Sequence, residues 1–72
     1  GYAPDSDRIV YRGDVDKREF IAFWLKDGRV VAGMNVNVWD VADPIRDLIR
    51  SRKEVDPAQL ADPGVSLESL AQ

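Results

Sequence analysis

The sequence predicts an α+β fold, a small antiparallel sheet of about three strands with C-terminal helices packed on one of its faces. Three observations carry that reading. The first half of the chain holds β-branched and aromatic runs separated by turn residues, and an Asp-Gly pair stands between two of these runs. The second half changes to apolar residues at helical spacing behind two Asp-Pro pairs.

Residues 1–7 contain Gly, Pro, Asp and Ser with little apolar content, which reads as a loop or mobile end. Residues 8–12 (Arg8-Ile9-Val10-Tyr11-Arg12) form the first expected strand and run into a turn at Gly13-Asp14.

The strongest local signal is a hairpin. Phe20 to Leu25 and Val30 to Asn37 flank Lys26-Asp27-Gly28-Arg29, and Asp-Gly favours a two-residue type I′ turn whose twist suits the strands beside it. That turn predicts Lys26 opposite Arg29, Leu25 opposite Val30, Trp24 opposite Val31, Phe23 opposite Ala32, Ala22 opposite Gly33 and Ile21 opposite Met34. One face then collects Ile21, Phe23, Leu25, Val30, Ala32, Met34 and Val36 and is the expected core. The other collects Phe20, Ala22, Trp24, Val31, Gly33, Asn35 and Asn37, which is too apolar for an ordinary solvated face and is expected to meet another surface.

A helix is expected from Asp43-Pro44, with Asp43 as N-cap and Pro44 in the first helical position. Ile45, Leu48 and Ile49 form its apolar stripe, and Arg46, Asp47, Arg50, Arg52 and Lys53 point away. An earlier start, with Asn37 as cap and Asp40 three residues on, is the alternative and would kink the helix at Pro44. Asp56-Pro57 opens a further short helix through Leu60, ended by Pro63-Gly64, and residues 66–70 suit one last helical turn.

At 72 residues the chain has room for one core, so residues 1–72 are read as a single domain. There is no cysteine and no histidine, which removes disulfides, thiolate chemistry and the side chain most used for proton transfer near neutral pH. This argues against a free-standing enzyme. With 13 acidic and 10 basic residues the net charge is −3, so there is no diffuse positive field for nucleic acid. No apolar run approaches a membrane span and the N-terminus has no signal-peptide pattern, so a cytoplasmic setting is expected.

The five glycines fit neither the dinucleotide fingerprint nor a P-loop. Asp14 and Asp16 have the alternate spacing of a calcium loop, but the glycine and distal glutamate of that loop are missing, and a solvated turn explains them better. Asp40, Asp43 and Asp47 are explained by helix capping, because nothing adjacent supplies a nucleophile. No catalytic, cofactor-binding or metal-ligating residue is therefore assigned. The candidates for an interface are Phe20, Trp24, Asn35, Asn37 and Trp39, the two tryptophans being either packing or contact residues. Arg46, Arg50, Arg52 and Lys53 could steer an acidic redox protein, although a solvated helix face accounts for them.

The ordered set Arg12-Gly13-Asp14, Phe20 to Leu25, Asp27 to Val41, Pro44 with Leu48-Ile49, and Val55-Asp56-Pro57 with Leu60-Ala61-Asp62 closely resembles the C-terminal domain of bacterial FAD-dependent ferredoxin reductases. That group includes the reductases of putidaredoxin, rubredoxin and aromatic-ring dioxygenase systems, within the pyridine nucleotide–disulfide oxidoreductase superfamily. The resemblance covers nearly the whole chain from about residue 8. It implies a parent oxidoreductase with FAD and NAD(P)H domains that passes electrons to an iron–sulfur ferredoxin. The family's domain normally opens with a tryptophan-rich segment and a first strand against the flavin. Neither is present, so no cofactor residue is carried over.

The expected role is therefore that of a non-catalytic structural part of such a reductase, with self-association of the fragment through an open strand edge. The alternative is an independent interaction module that uses a sheet face or strand edge.

Overall fold

The computed structural model describes residues 5–71 and places three strands ahead of three helices. Strands β1 (Arg8–Asp14), β2 (Glu19–Lys26) and β3 (Arg29–Val36) form an antiparallel sheet in the order β1-β2-β3. Helices α1 (Ala42–Ser51), α2 (Pro57–Ala61) and α3 (Leu67–Ala71) follow. The architecture is the α+β arrangement expected. Residues 5–7 precede β1 without a helix or strand, and residues 1–4 of the expected N-terminal loop lie outside the described residues.

β1 runs two residues further than predicted. Gly13 and Asp14 still pair with Phe20 and Glu19, and the turn is made by residues 15–18 instead. There the Asp14 carboxylate accepts the Lys17 amide at 3.1 Å, the local turn bond that suits an aspartate. Gly13 has φ 109°, and a Cβ on it would stand 2.5 Å from the Glu19 carbonyl oxygen, so the close pairing of β1 with β2 at this point requires glycine.

The hairpin tip is as predicted: Asp27 and Gly28 have φ values of 54° and 80°, both positive as a type I′ turn demands. Lys26 pairs with Arg29 and Leu25 with Val30. Beyond that the expected register is corrected. Trp24 pairs with Ala32, Phe23 with Gly33, Ala22 with Met34, Ile21 with Asn35 and Phe20 with Val36, so Val31 is the extra residue of a β-bulge.

The bulge has a packing reason. Unbulged pairing would put Ala32 and Met34 on the core face of β3, whereas the bulge puts Gly33 there. Its missing side chain is filled by Ile45 of α1. Ile21, Phe23, Leu25 and Val30 lie in the core as expected, with Phe23 wholly inaccessible. Ala32, Met34 and Val36 are corrected to the opposite face. Val10 completes the sheet's contribution, and Ile45, Leu48, Val55, Leu60 and Leu67 close the core from the helical side.

α1 starts earlier than Asp43. Val41 holds the N-cap position with no side-chain cap bond, and Asp43 lies inside the first turn, where it pairs with Arg46 at 3.5 Å. The alternative start at Asn37 does not occur, since Asn37 and Asp40 have φ 52° and 61° in the connection before the helix. α2 begins as predicted, with the Asp56 carboxylate accepting the Ala58 amide at 2.9 Å and Pro57 opening the helix. The α1–α2 link is stitched to the hairpin tip: the Val55 amide donates to the Gly28 carbonyl at 2.8 Å, and Arg29 pairs with Glu54 at 3.4 Å.

Candidate interaction surface

On the side of the sheet away from the core, strand pairing assembles three rows: Ile9–Trp24–Ala32, Tyr11–Ala22–Met34 and Gly13–Phe20–Val36. None of these nine positions is charged, although 32% of the chain is. Ile9, Tyr11 and Met34 are exposed, Phe20, Trp24 and Val36 are half-buried, and Ala22 is buried between its larger neighbours. The Tyr11 and Phe20 rings meet edge to face with centroids 5.8 Å apart. Exposed apolar side chains thus lie side by side on a face with no charged position.

Of the predicted interface residues, Phe20 and Trp24 lie together on this face. Asn35 and Asn37 do not. The bulge brings Asn35 opposite Ile21, and its side-chain amide donates to the Val38 carbonyl at 2.7 Å. Asn37 lies past the end of β3 and donates to the Arg18 carbonyl at 2.9 Å, tying the β1–β2 turn to the β3–α1 connection. Val31 and Gly33 leave the predicted face for the same reason. Trp39 stands on the β3–α1 connection, 77% exposed.

Sequence reasoning assigned Met34 to the core face, which the bulge corrects, and it did not offer Ile9 and Tyr11. The alternation in β1 was readable, but without a tight turn between β1 and β2 nothing fixed which of its faces joins Trp24.

A second feature is the groove between β3 and α1. One part, about 420 Å³, is lined by Gly33, Asn35, Ile45, Arg46, Ile49 and Arg50. A second, about 340 Å³, shares Ile49 and adds Lys26, Arg29, Val31 and Arg52. Of the predicted basic cluster, Arg46, Arg50 and Arg52 thus border the groove. Ile45 and Ile49 give it an apolar floor, and its rim carries these arginines together with Asp27, Arg46 being paired with Asp43 and Arg29 with Glu54.

Arg12 is the third feature, a nine-tenths buried cation on the core side of β1. Its guanidinium donates to the Leu60 carbonyl at 3.2 Å, to the Pro63 carbonyl at 3.5 Å and to the Val65 carbonyl. Burial lowers its pKa, opposed by the charges of Asp62 and Glu68. The group fastens the α2–α3 connection to the sheet by fork geometry that only arginine offers.

Among the described residues no three His, Cys, Asp or Glu side chains gather as a metal site, and no helix is long and apolar enough to cross a membrane. Two of the glycines are closed by the chain itself. The space a Cβ would take at Gly13 is closed by the Glu19 carbonyl and at Gly33 by Ile45, leaving neither backbone open to an approaching pyrophosphate.

A family model described as "Reductase C-terminal" matches residues 1–71. The chain is 43% identical over 62 residues to the anthranilate 1,2-dioxygenase system ferredoxin–NAD(+) reductase component of Burkholderia cepacia, covering 85% of this chain and 15% of that protein. It is 36% identical over 67 residues to the probable ferredoxin reductase CtmF of Castellaniella defragrans, covering 93% of this chain and 16% of that one. It also aligns with the crystal structure of the ferredoxin reductase for the CYP199A2 system from Rhodopseudomonas palustris. That alignment has a TM-score of 0.81 and 32% identity, and it covers 100% of this chain and 18% of the other. The chain therefore spans less than a fifth of the length of these relatives.

Proposed function

The chain belongs to the reductase C-terminal family, and on that footing we propose that it serves as a non-catalytic part of a larger flavoenzyme that passes electrons from NAD(P)H through FAD to an iron–sulfur ferredoxin. The observation that carries this is the match of residues 1–71 to a family defined by its place at the end of reductases. The names of the relatives, all ferredoxin reductases and all several times longer, support the electron-transfer role of the whole.

The chemistry is assigned to the remainder of such a protein. With no histidine or cysteine, and with the Cβ sides of Gly13 and Gly33 filled by its own chain, this part supplies shape and contact surface. Its role is to support the flavin-binding part. Its α1 groove, rimmed by Arg46, Arg50 and Arg52, has the charge to help shape the surface on which a ferredoxin docks.

The test is purification of the chain alone and of the intact protein that contains it. The chain alone should show no flavin absorbance and no reduction of artificial electron acceptors. The intact protein should hold FAD, oxidise NADH or NADPH and reduce a ferredoxin. Stoichiometric flavin on the isolated chain would overturn the non-catalytic role, and an intact protein free of flavin would overturn the whole reading. The rival, an independent interaction module, is favoured by the uncharged sheet face. It requires a coding sequence without two glycine-rich nucleotide fingerprints upstream.

A further inference from the structure

We infer that Trp39 is the anchor by which this part of the protein holds its electron carrier, an acidic ferredoxin docked along the α1 groove, and so helps decide which carrier is accepted. This rests on the reading of the chain as part of a ferredoxin reductase.

Trp39 is 77% exposed, the most open of the large apolar side chains among the described residues. Its neighbours hold it there. Val38 and Val41 pack against the core on either side of it. The Asn35 side-chain amide donates to the Val38 carbonyl at 2.7 Å, and that of Asn37 to the Arg18 carbonyl at 2.9 Å. Asn37 and Asp40 take left-handed φ values of 52° and 61°, a conformation that Asn and Asp adopt more readily than most residues. The connection is therefore braced with its indole in water, and docking has little left to order there. Tryptophan and arginine, which meet here, are among the residue types that dominate binding interfaces.

Charge selects the partner. β3 runs from the hairpin tip toward Trp39 and α1 returns to the tip, where the Arg29 Nε donates to the Arg52 carbonyl at 2.9 Å. The groove between them thus begins beside Trp39, at Asn35 and Ala42, and ends at Lys26 and Arg52. Lys26, Arg29, Arg46, Arg50 and Arg52 line it, half of the 10 basic residues of a chain whose net charge is −3. Asp27 is its one acidic lining residue, and Lys26, Arg50 and Arg52 make no ion pair among the described residues. A soluble acidic carrier that has to find its site by diffusion is steered by such a field, whereas a contact inside one polypeptide needs no steering.

The intact protein is tested with a ferredoxin that it reduces. Hydroxyl radicals label exposed indoles, and mass spectrometry of the Trp39 peptide reads the rate. Without ferredoxin the rate should exceed about one-third of that in urea, because the ring stands mostly in water. Saturating ferredoxin should lower it at least about fivefold, as burial in an interface core excludes water. Trp39→Ala should weaken ferredoxin binding at least about tenfold, and Trp39→Phe should recover part of the loss, since a ring still fills the contact. Arg50→Gln should slow association and flatten its salt dependence. Labelling already suppressed without ferredoxin would assign Trp39 to the rest of the polypeptide or, where suppression grows with protein concentration, to a second copy; either overturns the proposal. A Trp39→Ala affinity within about twofold of wild type also overturns it. An intact protein that reduces no ferredoxin would sink the reductase reading and the proposal with it, whereas normal reduction with an indifferent Trp39 sinks the proposal alone.

Discussion

A Cβ on Gly33 would stand 2.6 Å from Cγ2 of Ile45, so α1 rests on the backbone of β3 itself. In a strand, replacing glycine by alanine ordinarily stabilises by about 0.5–1 kcal/mol through the unfolded chain. Here the sign should reverse. Gly33→Ala is expected to cost about 1–3 kcal/mol by overpacking, and Ile45→Leu in the same chain, which removes the branch methyl at Cβ, should recover part of the loss. Urea denaturation decides, and a stabilised Gly33→Ala would place α1 further from the sheet than described.

The bulge makes opposite predictions for two large apolar residues of the hairpin. Phe23→Ala empties a fully buried position and should cost about 3–5 kcal/mol. Met34→Ala should cost less than about 1 kcal/mol in this chain, because the side chain is half-exposed on the outer face. Without the bulge Met34 would be core and its truncation would cost about 2–5 kcal/mol. Equal losses at the two positions would argue for the regular register.

Arg12→Leu leaves the carbonyls of Leu60, Pro63 and Val65 without their shared donor. A loss of about 1–3 kcal/mol is expected, and Arg12→Lys should restore little of it, because an ammonium cannot span three acceptors. Hydrogen exchange should show α2 and α3 losing protection before the sheet does. Full rescue by lysine would mean that charge, not the fork, holds the segment.

Glu68 supplies a pH test. Its carboxyl lies below the ordinary glutamate range, chiefly because the Ser66 hydroxyl donates to it, with its own backbone amide and Arg12 acting the same way against a small desolvation. A folded-state pKa below the unfolded one gives stability that is present above the ordinary glutamate range. That stability is lost as pH falls through the lowered value. Wild type and Glu68→Gln should therefore differ at neutral pH and converge in acid. A gap that stays constant with pH would exclude this carboxylate as its source.

What was legible in the sequence is what neighbours along the chain decide. Asp27-Gly28 specified its turn, Asp56-Pro57 specified its helix start, and the apolar stripe of Ile45 and Leu48 found the core. What was not legible depends on contacts distant in sequence. The bulge at Val31 follows from the helix that Gly33 admits, and that helix comes after the strand. Nothing beside Arg12 in the sequence shows that Leu60 and Val65 will accept its guanidinium. Asp43 looked like a cap because Asp-Pro is a capping pattern, but the helix starts two residues earlier, with Val41 and Ile45 packed against the core. For the candidate surface, Phe20 and Trp24 were placed correctly because the tight turn is close to them. Asn35 was misplaced because it lies beyond the bulge.

The Arg12 clamp also sets an order of events during synthesis. The guanidinium is made early, yet its acceptors lie 48 to 53 residues later in the chain. At a synthesis rate of about 5–20 residues per second, β1 is in existence for seconds before any acceptor for its charge has been polymerised. During that interval the inner face of the nascent sheet cannot be sealed, since closing it would bury an unsatisfied cation. The hairpin of β2 and β3 can form as it emerges, but the seal waits for the stretch from Leu60 to Val65. A ribosome-arrested chain ending before Leu60 should therefore remain protease-sensitive, and one in which Val65 has cleared the exit tunnel should not.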